Sequence, residues 1–339
     1  MLVLIVSGRQ NMEKFNEAVS LLARPIKEVL SGLEDVIKCQ TFEIRLRSNR
    51  PIMLFGLYGS GFIKKDSGFC KNYASECIIC SPEELKESFN RICGYSIHAH
   101  QSSINDGFVT MKGGHRAGVV GTAVCDSNGK TVSIKDVSSM NIRIAREIKG
   151  CAEPIAQAIF QGGAESLIIA GPPSSGKTTV LRDLVRILAG GTKKYPYKVS
   201  VIDEREELAS MYGSILGNDL GINCDILNSY PKSEAVLLAV RTMSPDIIAL
   251  DEVGSAEEIN AIEQAVNTGV KFILTVHASD FDEIVTRPQI EQLINTYSFD
   301  KVCLLSGEKA CTVKSIYDSK EIRDEIYRRR CNAGFSEPL

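Results

Sequence analysis

The stretch that decides the fold is Leu167-Ile-Ile-Ala170, followed directly by Gly171-Pro-Pro-Ser-Ser-Gly176-Lys177-Thr178. The four apolar residues predict a buried strand, and residues 178–188 repeat apolar side chains at helical spacing. Between strand and helix stands the pattern G-x-x-x-x-G-K-[ST], in the structural context that makes it credible. The stretch therefore predicts a phosphate-binding loop at the edge of an α/β sheet.

The chemistry of such a loop requires these residue types. Glycine lets backbone N–H groups converge on phosphate oxygens without an intervening Cβ, and the helix N-terminus adds partial positive charge. We expect Lys177 to bridge the β- and γ-phosphates of ATP and the Thr178 hydroxyl to ligate Mg²⁺. The predicted nucleotide contacts are Gly171, Pro172, Pro173, Ser174, Ser175, Gly176, Lys177, Thr178 and Thr179.

The chain changes its pattern near Gly150. Residues 151–339 alternate apolar runs with helical stretches, which predicts parallel βαβ units in an open sheet. Residues 1–150 begin with helical spacing, continue with strands at residues 42–46, 51–57 and 77–80, and later show strands interrupted by glycines. Between them a helix is predicted over residues 82–94, with Ser81 and Glu84 as its capping box. The prediction is a smaller α+β N-terminal domain, 1–150, followed by a RecA-like P-loop ATPase domain, 151–339.

Two further strands end in carboxylates. Pro245-Asp-Ile-Ile-Ala-Leu-Asp251-Glu252 predicts a buried strand in which Asp251 holds the Mg²⁺ shell through water and Glu252 deprotonates the attacking water. Val201-Ile-Asp203-Glu204 ends a strand that lies between the two motifs along the chain. This extra strand, with Glu252, indicates a P-loop ATPase that has an inserted strand.

Glu204 is a second candidate for the catalytic base. For Glu204 and Glu207 a solvated helix start is the alternative, because acidic residues are favoured there in any case. A fourth strand ends in Thr275-Val-His277. Since ligands of open α/β sheets bind at the carboxyl ends of the strands, we predict that His277 senses the γ-phosphate, with a structural histidine as the alternative.

Composition excludes several other classes of protein. The 339 residues are 44% hydrophobic and 24% charged, which is typical of a globular chain and not of a disordered or collagenous one. No apolar run approaches the roughly 18 residues of a membrane span, and the start lacks a signal peptide, so we expect a cytosolic protein. The eleven cysteines predict reduced thiols, and Cys77-Ile-Ile-Cys80 lacks the second pair of a zinc site.

Charge divides unevenly along the chain. Residues 1–150 carry a net +5 and the remainder −8, for a total of −3. This asymmetry fits a two-domain chain and allows electrostatic attraction between domains. With a net charge of −3, the chain as a whole does not have the strongly positive charge of a nucleic-acid-binding polycation.

Several longer motifs extend beyond the phosphate loop. They are Phe42-Glu-Ile-Arg45-Leu-Arg47, Cys93-Gly-Tyr-Ser-Ile-His98, Lys112-Gly-Gly-His115-Arg116-Ala-Gly118, Asn141-Ile-Arg143-Ile-Ala-Arg146, Val240-Arg241-Thr-Met-Ser244-Pro245-Asp246, the Asp251-Glu252 strand end and Thr275-Val-His277. With this combination the chain resembles the stage III sporulation protein AA family of endospore-forming bacteria over nearly its whole length.

That family is similar to the ATPases of type II and type IV secretion. The resemblance implies a hexameric ring with ATP at the subunit interfaces, an acidic box at residues 202–207 and a histidine box at residues 268–280. The chain departs from those enzymes at two positions. The secretion enzymes have Gly where this chain has Asp251, and Pro where it has Arg205. The first implies Mg²⁺ coordination closer to that of ordinary RecA-like ATPases, and the second leaves Arg205 as a charge that needs an explanation.

The resemblance also implies a biological role. ATP hydrolysis would energise assembly of, or transport through, a channel joining mother cell and forespore, with the other stage III A membrane proteins as partners and peripheral recruitment to the membrane on the mother-cell side. Two alternatives stay open: a RecA-like ATPase stimulated by single-stranded nucleic acid, and a nucleotide-gated adaptor. The modest positive charge weakens the first, and the presence of Lys177, Asp251 and Glu252 argues against the second.

Ring ATPases complete their site with an arginine from elsewhere. Arg143 and Arg146 lie at the predicted domain junction and are separated by two apolar residues, so both can reach one site. We predict that at least one of them contacts nucleotide held by the same or a neighbouring subunit. The alternative is that they pair with the acidic second domain, and Arg205, Arg241 and Arg287 are further candidates for the role.

Overall fold

The computed structural model describes residues 2–105, 107–129, 131–146, 148–211 and 214–332, with the side chains of 2–10, 99 and 102 left out. The chain divides into two compact units. The first comprises Met1–Glu147 with Ser210–Asn218, and the second comprises Ile148–Ala209 with Asp219–Leu339. The segment 210–218 therefore folds with the first unit although it lies within the second along the sequence.

The first unit is built on antiparallel strands. Its helices are α1 Leu2–Ser20, α2 Arg24–Ser31, α3 Asp35–Gln40, α4 Pro82–Ile92 and α5 Gln101–Asn105, with a 3₁₀ turn at Ile97–His100. Its strands are β1 Thr41–Arg47, β2 Arg50–Pro51, β3 Met53–Gly56, β4 Gly59–Ile63, β5 Phe69–Cys70, β6 Ile79–Cys80, β7 Phe108–Thr110, β8 Arg116–Cys125 and β9 Thr131–Arg143. The main sheet has the order β5-β4-β3-β1-β9-β8-β7, and β2 pairs separately with β6.

Local sequence explains much of this unit. In β1 the apolar residues Ile44 and Leu46 are fully buried while Arg45 between them is exposed, which is the expected period of two. Helix α4 begins with the predicted capping box, because Ser81 Oγ accepts from Glu84 N at 3.1 Å and Ser81 N donates to Glu84 Oε2 at 2.8 Å. Its buried face joins the core formed with α1, α2 and the sheet.

The second unit is a mostly parallel sheet with helices. Its helices are α6 Glu153–Ile159, α7 Lys177–Leu188, α8 Lys232–Met243, α9 Ala256–Val266, α10 Phe281–Thr286, α11 Pro288–Asn295 and α12 Ser319–Asn332. Its strands are β10 Leu167–Gly171, β11 Val199–Asp203, β12 Cys224–Asn228, β13 Ile247–Leu250, β14 Lys271–His277, β15 Lys301–Leu305 and β16 Val313–Asp318. The order is β12-β11-β13-β14-β10-β15-β16, with only the β15–β16 pair antiparallel.

The predicted fold class is confirmed, with one refinement. Every residue of β10, β11 and β13 is buried, as expected of parallel strands covered on both faces. The strand that separates β10 from β13 within the sheet is β14, which ends at His277, whereas β11 lies on the far side of β13. Position along the chain suggested β11 as the extra strand, but strand order in a parallel sheet is set by the crossover helices.

Several predicted strands differ in extent. The run at 77–80 is a strand only at Ile79–Cys80, and Cys77 forms an isolated bridge with Lys64. The run at 51–57 breaks at Ile52, because Pro51 pairs with β6 while β3 pairs with β1 and β4. Strands β12 and β16 were not predicted, since both are partly exposed edge strands without a continuous apolar run.

None of the described helices combines the length and apolarity that crossing a membrane requires.

Candidate active site

The phosphate loop connects β10 to α7 through two backbone conformations with positive φ. Ser174 has φ +62° and Gly176 has φ +88°, the latter directly before the first residue of α7. A Cβ on Gly176 would lie 2.6 Å from Cys311 Sγ and 3.0 Å from Cys311 N, so glycine is required by both conformation and space. The loop is therefore shaped by its own residues and by the turn that carries Cys311.

Lys177 is held against its own loop. Its side-chain Nζ donates to the carbonyl oxygens of Gly171 and Pro172, each at 2.9 Å, and lies 3.2 Å from His277 Nδ1. Burial lowers the pKa of the Lys177 ammonium, and the nearby carboxylates of Asp251 and Glu252 partly oppose that shift. The ammonium is thus a buried cation whose neutral partners can be exchanged for an anion.

Asp251 joins two threonines. Its Oδ2 accepts from Thr178 Oγ1 at 2.6 Å, and its Oδ1 accepts from Thr275 Oγ1 at 2.5 Å. The arrangement brings the C-terminal end of β13 against the first turn of α7 and the end of β14. It supplies a hydroxyl and a carboxylate, the oxygen donors that Mg²⁺ prefers.

The loop also fits a phosphate group. The hydroxyl of Ser175 is buried and has no hydrogen-bond partner among the described residues. A buried hydroxyl without a partner is uncommon, and a phosphate oxygen above the loop would satisfy it. Together with the Thr178–Asp251 pair, this indicates that the residues present fit a bound magnesium–nucleotide.

Glu252 has a fixed backbone and an accessible side chain. Its φ is +55°, its N donates to Thr275 Oγ1 at 2.8 Å, and its carbonyl oxygen accepts from Lys232 Nζ at 2.7 Å. One carboxylate oxygen, Oε2, accepts from Arg205 Nη1, and the other lies 3.4 Å from His277 Nε2. Such strain in a non-glycine residue is typical of functional positions.

The acidic residues at the end of β11 and directly after it have different roles. The buried carboxylate of Asp203 accepts from the backbone N–H groups of Glu207, Leu208 and Ala209 at 2.7–3.1 Å, which folds the segment back on the strand. Glu204 Oε2 lies 3.8 Å from Lys232 Nζ. Asp203 is therefore structural, and Glu204 has a lysine partner beside Glu252.

A cavity of about 420 Å³ lies above the loop. Its lining comes from the second unit and includes most of the predicted residues: Ser174, Gly176, Lys177, Thr178, Thr179, Asp251, Glu252 and His277, joined by Ile148, Glu207, Thr275, Ala310 and Cys311. Glu207, rather than Glu204, is the acidic-box residue on this wall. Gly171, Pro172, Pro173 and Ser175 form the backbone of the loop beneath it.

The two arginines predicted to meet nucleotide belong to the first unit. Arg146 Nη2 donates to the carbonyl oxygens of Cys39 and Thr41 at 3.0 and 2.9 Å, and its guanidinium lies 4.1 Å from the ring centroid of Phe42. Burial lowers the pKa of Arg146. Arg143, at the end of β9, has an exposed side chain. Arg146 therefore contributes its hydrogen bonds to its own unit.

Thr275 and Cys311 belong to the site but were missed by sequence reasoning. Thr275 stands two residues before His277 on the same strand, so the period of two was a usable signal that both point to one face. Cys311 reaches the loop only through the turn between β15 and β16, where its N donates to Ser175 O at 2.8 Å. A hydrogen bond from the Cys151 thiol lowers the pKa of Cys311 to about 7.

Comparison with known proteins identifies relatives of the chain. The family model described as "Sporulation stage III, protein AA" matches residues 12–324. Stage III sporulation protein AA of Bacillus subtilis (strain 168) is 33% identical over 305 residues, covering 89% of this chain and 95% of that protein. Protein SEEDLING PLASTID DEVELOPMENT 1 of Arabidopsis thaliana is 29% identical over 160 residues, covering 47% of this chain and 22% of that protein.

Solved structures share the fold. The Legionella pneumophila ATPase DotB aligns with a TM-score of 0.51 at 17% identity, covering 85% of this chain and 80% of that one. The pilus retraction motor PilT, solved with bound ADP, aligns with a TM-score of 0.54 at 14% identity, covering 86% and 85%. The likeness to DotB and PilT concerns the fold, while the family model and the Bacillus subtilis relative match nearly the whole chain. The chain belongs to the family of sporulation stage III protein AA.

Proposed function

We propose that the chain is a Mg²⁺-dependent ATPase of the secretion-ATPase kind, hydrolysing ATP to ADP and phosphate. The observation that carries the proposal is the convergence of Lys177, Thr178, Asp251, Glu252 and His277 on one cavity. These residues come from separate elements, α7, β14 and the segment after β13. Each has the chemistry that phosphoryl transfer requires at its position.

Binding begins at the phosphate loop. Lys177 exchanges the carbonyls of Gly171 and Pro172 for the β- and γ-phosphate oxygens of ATP, and the loop N–H groups take the remaining oxygens. Thr178 and Asp251 would hold Mg²⁺, directly and through water respectively. When bound, the metal neutralises the charge that develops on the phosphates.

Hydrolysis then requires a base and a sensor. Glu252 accepts the proton of the attacking water, because its exposed carboxylate stands at the cavity wall on a fixed backbone. His277, 3.4 Å from that carboxylate and 3.2 Å from Lys177, contacts the γ-phosphate and senses its loss. Glu204 is the second candidate for the base, although its carboxylate faces Lys232.

The biological setting is part of the proposal. The chain would assemble as a homo-oligomeric ring, a hexamer, in which Arg143 supplies positive charge to nucleotide on a neighbouring subunit. Family membership supports a role in sporulation, with ATP hydrolysis energising assembly of, or transport through, a mother cell–forespore channel. The other stage III A proteins would recruit this ATPase to the membrane from the mother-cell cytoplasm.

The deciding experiment compares wild type with Glu252→Gln. An amide cannot take a proton from water, so turnover should fall by about 100-fold or more while ATP binding persists. Phosphate release measures the first quantity, and equilibrium binding of labelled ATP measures the second. Glu204→Gln serves as the matched control and should lose less activity; a normal rate in Glu252→Gln would move the base to Glu204.

The same assay separates the nucleic-acid alternative. Turnover is measured with and without single-stranded DNA at low and moderate salt, because phosphate-driven DNA binding falls steeply with salt. Unchanged turnover supports the secretion-type ATPase. Strong stimulation that disappears with salt would instead identify a nucleic-acid-stimulated motor.

A further inference from the structure

Arg205 contacts the group that the proposed function assigns as the base. Its Nη1 donates to Glu252 Oε2, and the two side chains are 61% and 43% exposed. The other oxygen of Glu252 faces His277 Nε2 at 3.4 Å. Both oxygens of the Glu252 carboxylate therefore face nitrogen groups of the protein.

The backbone around this contact is fixed on both sides. On the Glu252 side, Thr275 and Lys232 hold the N–H and the carbonyl. On the Arg205 side, Asp203 binds the backbone N–H groups of residues 207–209, and Arg182 of α7 donates to the carbonyls of Glu207 and Leu208 at 2.6 and 3.2 Å. The exposed parts of this contact are the two side chains themselves.

An arriving γ-phosphate changes the balance at this contact. A guanidinium matches the planar, multidentate geometry of a phosphate better than that of one carboxylate oxygen. The γ-phosphate of ATP would lie near Lys177 and Glu252, which both line the cavity. Because the Arg205 guanidinium already contacts the Glu252 carboxylate, a rotation of its side chain would bring it toward that phosphate. ADP lacks that group and leaves Arg205 on Glu252.

We propose that Arg205 is a γ-phosphate-sensing residue that holds the Glu252 carboxylate in the nucleotide-free site and moves to the γ-phosphate when ATP binds. The move frees Glu252 Oε2 for the attacking water. Discrimination of ATP from ADP is the consequence, and the loss of the γ-phosphate after hydrolysis restores the starting pair. This inference rests on the proposed function.

Binding, rather than turnover, is the direct test. Affinities for adenylyl imidodiphosphate and for ADP are measured with Mg²⁺ in wild type, Arg205→Gln and Arg205→Lys. Arg205→Gln should weaken binding of the triphosphate analogue by about tenfold or more and leave ADP within about twofold, since only the γ-phosphate contact is lost. Arg205→Lys should restore part of the loss.

Repeating the measurement in a Glu252→Gln protein separates two explanations for a loss of affinity in Arg205→Gln. If Arg205 only neutralises the charge of Glu252, Arg205→Gln will have no effect in a Glu252→Gln protein. If Arg205 contacts the phosphate, the same loss of triphosphate affinity will appear there as well. No effect in the Glu252→Gln background, or an equal loss for ADP and the analogue, overturns the inference.

Controls keep this outcome distinct from failure of the proposed function. Arg328→Gln removes an arginine that is 69% exposed and pairs with Glu325 on α12, and it should leave both affinities unchanged. ADP binding reports that each variant retains a folded site. If Glu252→Gln binds neither nucleotide, the ATPase assignment fails; if it binds both and Arg205→Gln changes nothing, only the role of Arg205 fails.

Discussion

Lys14 in the first unit and Lys177 in the second make nearly the same contacts. Lys14 Nζ donates to the carbonyl oxygens of Gly113 and Gly217 at 2.8 and 2.9 Å, and Lys177 Nζ donates to two carbonyls at 2.9 Å. The carbonyls that Lys14 binds lie 99 and 203 residues away, so Lys14 ties distant segments together. Those that Lys177 binds lie five and six residues before it. A ligand can therefore replace these two carbonyls as partners of Lys177 without separating distant segments of the chain.

The sheets of the two units explain why functional side chains gather around a cavity in the second unit. In the second unit, neighbouring parallel strands bring Gly171, His277 and the Asp251–Glu252 end to one edge, where charged side chains meet around a cavity. In the first unit, antiparallel pairing puts strand starts beside strand ends. Its half-buried polar groups, such as Arg146, bind carbonyl oxygens of the unit itself.

The largest effect should come from exchanging the two lysines for alanine. Lys177→Ala should abolish ATP binding or hydrolysis, because the β- and γ-phosphates lose their main side-chain counterion. Lys14→Ala should leave the nucleotide site working and lower the free energy of unfolding by about 1–3 kcal/mol, since buried carbonyls lose a charged donor. Nucleotide binding and chemical denaturation measure the two quantities. Loss of ATP binding in folded Lys14→Ala protein would contradict the comparison.

The two arginines of the first unit give the next test. Arg143→Ala should be inactive alone and stable within about 0.5 kcal/mol, because its side chain is exposed. Arg146→Ala should unfold more easily, because the carbonyls of Cys39 and Thr41 lose their donor. Arg143→Ala protein mixed with Lys177→Ala protein should regain activity, since mixed rings contain some intact interfaces. Mixtures that co-assemble and stay inactive would exclude action between subunits.

His277→Ala should have an intermediate effect. Turnover should fall by about ten- to hundredfold while the affinity for ATP changes less. The reason is that His277 is proposed to respond to the loss of the γ-phosphate, whereas Lys177 and the loop bind the phosphates. Steady-state kinetics and direct binding measure the two separately. An equal loss in both quantities would reduce His277 to a binding residue.

The smallest effect concerns two thiols. Because the pKa of Cys311 is lowered to about 7, its reaction with iodoacetamide should rise about tenfold between pH 6 and 8 and then level off, as the thiolate is the reactive form. Burial raises the pKa of Cys80 in the first unit to about 12, so Cys80 should stay unreacted over this range. Peptide mass spectrometry distinguishes the two sites, and added ATP should protect Cys311. A Cys311 rate still climbing at pH 9 would contradict the lowered pKa.

Sequence patterns predicted the site where chemistry depends on neighbours along the chain. The strand–loop–helix around Gly176, the paired Asp251 and Glu252, and the capping box at Ser81 are short-range features. The predicted roles of these residues in catalysis remain predictions. Sequence patterns did not predict the position of β14 between β10 and β13, because that position depends on crossover connections. They also did not predict that the segment 210–218 folds with the first unit.

Short stretches of sequence were enough to predict the P-loop α/β fold and most of the residues around the cavity, because apolar periodicity and glycine placement act over a few residues. The longer motifs were enough to predict the family. Three contacts depend instead on the tertiary structure: the pairing of Arg205 with Glu252, the approach of Cys311 to Gly176, and the hydrogen bonds of Arg146 within the first unit. Those contacts join residues 47, 135 and more than 100 positions apart. No local pattern specifies such partners, because they depend on how whole elements pack.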